Sequence, residues 1–283
     1  MIGQILNALP SVYHEHARTT SLYDILDSVA KQTLKESELG SGGNGEITLG
    51  KLGLLHFPYY KMGAIDTLDL FGLDELIIFS FYWTNRERYK KSADIGANLG
   101  LHSILMGRCG WHVDAYEPDP IHARLLERNL VLNHLNNVTV HELAVSDAPG
   151  ELEFVRVLGN TTGSHLAGAK AKPYGELERF KVKVASINSI MNEVDFVKLD
   201  AEGQEKIIIL GTNAQHWIGT DVMAEVGSTE NAKAIFEHLT PLGINLFSQK
   251  LGWNRVNSLE GMPTSYKEGS LFITAKSQMP WNL

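Results

Sequence analysis

Asp94-Ile-Gly-Ala-Asn-Leu-Gly100 is the stretch on which the fold of this chain turns. It closes a short apolar run at residues 92–95 and opens a helical pattern at 99–108, so it reads as a strand-to-helix turn. Glycines at 96 and 100 let the backbone turn tightly and come close to a ligand. The spacing is Gly-x-Asn-x-Gly, not the Gly-x-Gly-x-x-Gly of dinucleotide-binding turns. A pyrophosphate needs bare amides at a helix N-terminus, and Asp94 at the strand end would repel it. The turn suits a ligand with a cationic amine or sulfonium instead.

Outward from this turn, apolar runs at 92–95, 112–117, 138–143, 195–200, 222–226, 244–248 and 271–275 read as strands. Helical patterns at 99–108, 120–135, 205–210 and 230–239 fill the gaps. That alternation predicts βαβ units and a mostly parallel sheet. Two further alternating runs, 151–157 and 180–185, flank the loop Gly159-Asn-Thr-Thr-Gly-Ser-His165 and a basic stretch with Lys170 and Lys172, and Lys181 of the second run completes a basic cluster. They predict a β-hairpin inserted over about 150–186, overhanging the strand C-termini. Before residue 91 the pattern is looser: helical at 21–38 and 73–89, short strands and turns at 50–63, and a glycine-rich 40–45 that reads as a linker or mobile loop. The expected division is a mainly helical extension or lid at 1–90 and a ligand-binding domain at 91–283.

Composition excludes several classes. The chain has 283 residues, 25 Lys plus Arg against 33 Asp plus Glu, and a formal net charge of −8. A duplex nucleic-acid binder needs a basic face to displace counterions, so none is expected. One cysteine, Cys109, can form neither an internal disulfide nor a Cys-rich zinc site. No apolar run approaches the ~20 residues of a spanning helix. With no targeting pattern at the start, a cytoplasmic protein is expected. The apolar first ten residues could pair with a second copy to make a homodimer.

A second motif, Val113-Asp-Ala-Tyr-Glu117-Pro-Asp-Pro120, places Glu117 at the end of the second strand. A carboxylate there can accept hydrogen bonds from both hydroxyls of a ribose. Pro118 and Pro120 set up the next helix start.

Together with Leu125–Asn133, Leu143-Ala-Val-Ser-Asp147 and Val197-Lys-Leu-Asp-Ala-Glu-Gly203, these motifs resemble the FkbM-type S-adenosylmethionine-dependent methyltransferases, from about residue 91 to 276. The resemblance implies a class I methyltransferase fold, a doubly wound seven-stranded sheet with its last strand antiparallel. It also implies methylation of a hydroxyl oxygen, often on a sugar or natural-product scaffold. Asp94, Gly96 and Asn98 would then lie around the methionine portion of S-adenosylmethionine and Glu117 at the ribose, with Ala97, Gly100, Pro118 and Asp200 also among the cofactor-binding residues. The usual adenine-binding acid is replaced by Leu143, so the Leu143–Ala144 backbone or Glu142 is expected to make that contact.

Asp200-Ala-Glu202-Gly203 ends the fourth strand. Residues two apart on a strand share a face, so Asp200 and Glu202 are expected to converge. They could favour the cationic cofactor, take the acceptor's proton, or hold a divalent ion such as Mg2+ that acidifies the hydroxyl. Glu225, at the end of the fifth strand, is a third acid on this edge. If all three meet, repulsion would raise at least one pKa. Of eleven histidines, His165 in the inserted loop is the expected substrate contact. His14 and His16 read as surface, and His102 and His122 as satisfied or solvated. The aromatic run Phe79-Ser-Phe-Tyr-Trp83 reads as core. Two other functions fit less well: a nicotinamide oxidoreductase, which Asp94 and the missing glycine disfavour, and a non-catalytic binding protein keeping the fold.

Overall fold

The computed structural model describes residues 1–63, 65–159, 163–168 and 176–281. Three helices, α1 (Ile2–Ala8), α2 (Ser21–Lys35) and α3 (Leu73–Thr84), and a small hairpin, β1 (Glu46–Thr48) and β2 (Leu54–His56), precede the main sheet. Then come β3 (Lys91–Ile95), α4 (Leu101–Arg108), β4 (His112–Tyr116), α5 (Pro120–Leu132) and β5 (Val138–His141). An inserted group follows: β6 (Ala144–Ser146), β7 (Gly150–Val157), β8 (His165–Leu166) and β9 (Leu177–Ser186). The chain then resumes with α6 (Ile187–Met191), β10 (Phe196–Leu199), α7 (Glu205–Leu210), β11 (Asp221–Ala224), α8 (Thr229–Leu239), β12 (Asn245–Ser248), β13 (Asn254–Arg255) and β14 (Leu271–Thr274).

The main sheet has the order β13-β12-β14-β11-β10-β3-β4-β5. Strands β5, β4, β3, β10 and β11 are parallel, and β14 is antiparallel to both of its neighbours. This is the expected doubly wound Rossmann-like sheet, with its antiparallel last strand. The order reverses between β3 and β10, and ligands of such sheets bind at the carboxyl ends beside that switch. The two-residue β13 adds an eighth strand, too short to show a period in sequence.

The pleat sends alternate residues to opposite cores. On β14, Phe272 joins one buried cluster while Leu271 and Ile273 join the other. The first cluster is where the N-terminal helices pack: Leu76, Ile77, Phe79 and Phe81 of α3 lie with Trp111, Phe196 and Phe272. Phe81 is 5.9 Å from Phe196 and 5.5 Å from Phe272, ring to ring. The aromatic run is core as expected. The face of α1 read as a pairing surface is spent inside the chain, because Ile2, Ile5 and Leu6 are buried in this same cluster.

Four local expectations change. The glycine stretch is tied down: Gly45 N donates to Glu38 O at 2.8 Å and Phe57 N to Gly45 O at 2.6 Å. His16 is buried, its Nε2 3.0 Å from Leu9 O and its Nδ1 accepting from Trp253 Nε1 at 2.9 Å. The inserted hairpin is part of a larger sheet, in the order β6-β9-β7-β8. The run read as one strand at 138–143 breaks at His141, where Leu143 N turns back onto His141 O at 2.8 Å, and the chain leaves for this second sheet. Residues 160–162 of the polar loop, and Lys170 and Lys172 of the basic cluster, lie outside the described residues.

Candidate active site

The turn at 96–100 is shaped by contact. Gly96 N and Ala97 N both donate to Tyr116 O at 3.0 Å, binding the turn to the end of β4. Gly96 has φ 77, and a Cβ there would overlap the carbonyl of Asp200. Asn98 has φ 50, a left-handed conformation that asparagine tolerates better than most residues. Gly100, at φ 86, presses on Leu126 and caps α4. Above the turn opens a cleft lined by Gly96, Ala97, Asn98, Glu117, Pro118, Leu143, Ala144, His165, Asp200 and Glu202 among others. Strand and helix spacing could not bring these together; the parallel order of β5-β4-β3-β10 does.

Glu117 is clamped from both sides. Its Oε2 accepts from Asn98 N and its Oε1 from Asp119 N, each at 2.8 Å. Burial pushes its carboxyl up to about 8, against the two backbone bonds that favour the charged form. Asp119 caps α5 through Ile121 N at 2.8 Å. Arg156 of β7 holds Asp119 with two 2.7 Å bonds, donates to Glu178 at 2.6 Å, and stacks 4.7 Å over Phe180. The inserted sheet is thereby bolted to the Glu117 loop, and it contributes Phe154, Ser164, His165 and Leu166 to the cleft wall.

Some expected residues sit elsewhere. Asp94 is fully buried and outside the cleft wall, with Oδ2 accepting from Ser103 Oγ at 2.5 Å. It supports the turn from beneath. Gly100 likewise shapes the turn without lining the cleft. Glu142 is exposed and points away, because the chain turns out of the sheet after His141. Glu225 lies behind the wall and is hydrogen-bonded to Asp200.

Charge gathers at the far end of the cleft. Lys198 Nζ is 3.0 Å from Asp200 Oδ2. Burial pushes Asp200 up, but Lys198 outweighs it and holds the carboxyl below the usual range. Burial and then the Asp200 charge push Glu225 well above that range, so Glu225 keeps its proton and donates to Asp200. Glu202 reaches the cleft by an unexpected route. The strand ends at Leu199, so face alternation no longer applies, and Glu202 sits in a turn at φ 51. The turn is closed by Glu205, whose carboxylate accepts from Ala201 N at 2.7 Å and Gly203 N at 3.0 Å. His165 is buried, with Nδ1 2.8 Å from Gly163 O. Among the described residues no three His, Cys, Asp or Glu side chains are grouped to hold a metal ion, so the Mg2+ expectation finds no donor set.

A family model, the methyltransferase FkbM domain, matches residues 94–239. The chain belongs to the FkbM methyltransferase family. That membership favours the methyltransferase reading over the nicotinamide one. Methyltransferase sdnD of Sordaria araneosa is 27% identical over 157 residues, or 44% of this chain. The match spans 61% of that relative's length. Among solved structures, the O-methyltransferase from Bacillus cereus in complex with SAH is 12% identical, covering 70% of this chain and 80% of that one, at a TM-score of 0.38. The SAM-dependent methyltransferase from Agrobacterium tumefaciens is 8% identical, covering 71% and 61%, at 0.37. Likeness at that level carries no weight for activity.

The cleft of this FkbM methyltransferase fits its cofactor on its own terms. Asn98 Oδ1 is buried and has no hydrogen-bond partner among the described residues. An ammonium group would satisfy it. Lys198, His102, His122 and Glu75 also line the cleft, and sequence reasoning assigned them no role. Lys198 did carry a signal: a lone cation in an otherwise apolar buried strand asks for a partner. Glu75 carried none, since an acid in a first helical turn is ordinary.

Proposed function

We propose that this chain methylates a hydroxyl oxygen of a small polar molecule, such as a sugar, glycoside or natural-product scaffold. The observation that carries this reading is that Asp200, oriented by Lys198 and Glu225, faces the same cleft as Asn98 and Glu117.

When bound, S-adenosylmethionine supplies an electrophilic methyl group on a sulfonium. Asn98 Oδ1 would hold its ammonium, Glu117 its ribose hydroxyls, and the Leu143–Ala144 edge its adenine. Phe154 and Leu166 of the inserted sheet cover the apolar side and exclude water. Asp200 holds the acceptor hydroxyl and takes its proton. As a weak base it would take that proton late, once the acceptor oxygen has become acidic. Lys198 and the proton on Glu225 fix which Asp200 oxygen faces the acceptor. His165 and Glu202, both in the cleft wall, would hold the acceptor's remaining polar groups. Positioning the oxygen in line with the methyl group is itself a large share of the barrier reduction.

Residues 91–283 form the cofactor-binding unit in this reading, and residues 1–90 cover one face of its sheet. No helix among the described residues is long and apolar enough to cross a membrane. The buried single cysteine fits a reducing, cytoplasmic compartment.

The test is methyl transfer from tritiated S-adenosylmethionine to a panel of sugars, glycosides and polyketide fragments. Label on an oxygen of a panel member supports the reading. Label only on nitrogen or carbon acceptors overturns the oxygen assignment. Tight S-adenosylhomocysteine binding with no transfer to any acceptor class favours the non-catalytic reading.

A further inference from the structure

Glu75 stands in the cleft wall although it lies outside the matched span 94–239. It sits in the first turn of α3. Its Oε2 is 3.0 Å from His102 Nε2, and His102 Nδ1 is 2.8 Å from the Tyr82 hydroxyl. Tyr82 is fully buried on the same helix, two turns further on and on the same face. Phe79 between them meets the imidazole edge-on at 5.3 Å. One helix therefore grips the ring from both ends and along one side. His102 is pinned, and through it so is the Glu75 carboxylate. Burial pushes that carboxyl up, but His102 and then Lys198 reverse this and keep it ionised. Around it stand Asp200, Lys198 and Glu225. Lys198 pairs with Asp200 and Glu225 holds its proton; beside them Glu75, paired to His102, brings an ionised carboxylate into the cleft wall.

From this placement we infer that Glu75 is a specificity-determining residue: its carboxylate, fixed by His102 and Tyr82, favours a cofactor that is positively charged at the reacting centre over one that is neutral there. The inference rests on the cleft being an S-adenosylmethionine site. A charge in a cleft poor in water acts strongly on an opposite charge and hardly at all on a neutral thioether. The same carboxylate thus favours entry of the charged donor and exit of the neutral product.

The test is calorimetric binding of two probes to the full chain. S-adenosylhomocysteine is neutral at sulfur; sinefungin carries an amine in place of the sulfonium methyl. Wild type is expected to prefer sinefungin. Glu75→Gln is expected to shrink that preference about tenfold, the usual effect of one nearby opposite charge, with S-adenosylhomocysteine affinity held. Tyr82→Phe, which loosens the ring, gives a partial loss. Glu230→Gln, an exposed acid away from the cleft, leaves the preference unchanged. An unchanged preference in Glu75→Gln, with both probes still bound, overturns the role of Glu75 and leaves the cofactor site standing. Binding of neither probe to wild type overturns both. If Glu75→Gln does not fold, Glu75→Asp, which withdraws the carboxylate by one methylene, carries the same comparison.

Discussion

Gly96 and Asp200 touch: a side chain on the first would overlap the carbonyl oxygen of the second. Asp200 N also donates to Ile95 O at 3.0 Å. The turn at 96–100 and Asp200, which in the proposed reading meet the cofactor and the acceptor, are therefore joined at the ends of β3 and β10.

Gly96→Ala should break that junction. The left-handed conformation alone costs an L-residue roughly 1–2 kcal/mol, and the opposing atom is backbone, which cannot rotate away. We expect a lower melting temperature and at least about a tenfold loss of S-adenosylhomocysteine affinity. Wild-type affinity in Gly96→Ala would show that the contact does not shape the site.

Glu117 should make stability depend on pH. Its carboxyl is raised from the ordinary 4.5 to about 8 by burial. The folded chain then holds a proton that the unfolded chain releases, so this contribution is complete below pH 4.5 and is lost as pH rises through 8. Wild type should lose stability relative to Glu117→Gln between those values. Ribose hydroxyls favour the ionised form, so ligand binding at pH 7 should release protons. Calorimetry in buffers of different ionisation enthalpy reads this directly; no proton release would count against the ribose assignment.

Arg156 should matter far from its own strand. Its partner Asp119 is 1% exposed, and removing one member of a buried pair costs about 3–5 kcal/mol. Arg156→Met should lower the melting temperature and weaken cofactor binding together, since Asp119 N holds Glu117. Arg156→Lys should recover only part, because an ammonium cannot make the two-pronged contact. Full recovery by lysine would mean that charge alone suffices.

Asp200→Asn should divide turnover from binding. Loss of a proton acceptor costs about 10²–10⁴-fold in rate, while cofactor affinity should move only a few-fold. Equal losses would make Asp200 a binding residue only. The measurement is single-turnover methyl transfer beside calorimetric binding.

The sequence by itself determined the sheet. All seven of its long strands lie on apolar runs readable from residue types, because a strand buried on both faces must be apolar and its neighbours must turn. It also marked Gly96, Asn98, Glu117 and Asp200, whose types answer to local needs: a left-handed turn, or an acid at a strand end. Only the tertiary structure decided where each acid sits and what it pairs with. Asp94 and Glu142 looked like binding residues, yet one is sealed under the turn and the other faces solvent. Glu225 became a proton donor and Asp200 a low-pKa carboxylate, because their separation and the nearness of Lys198 are set by strand order. Glu75 and His102 lie 27 residues apart in sequence and meet only when α3 packs against α4. Pattern along a chain records local conformation and burial; charge coupling depends on distances across elements, and those exist only after folding.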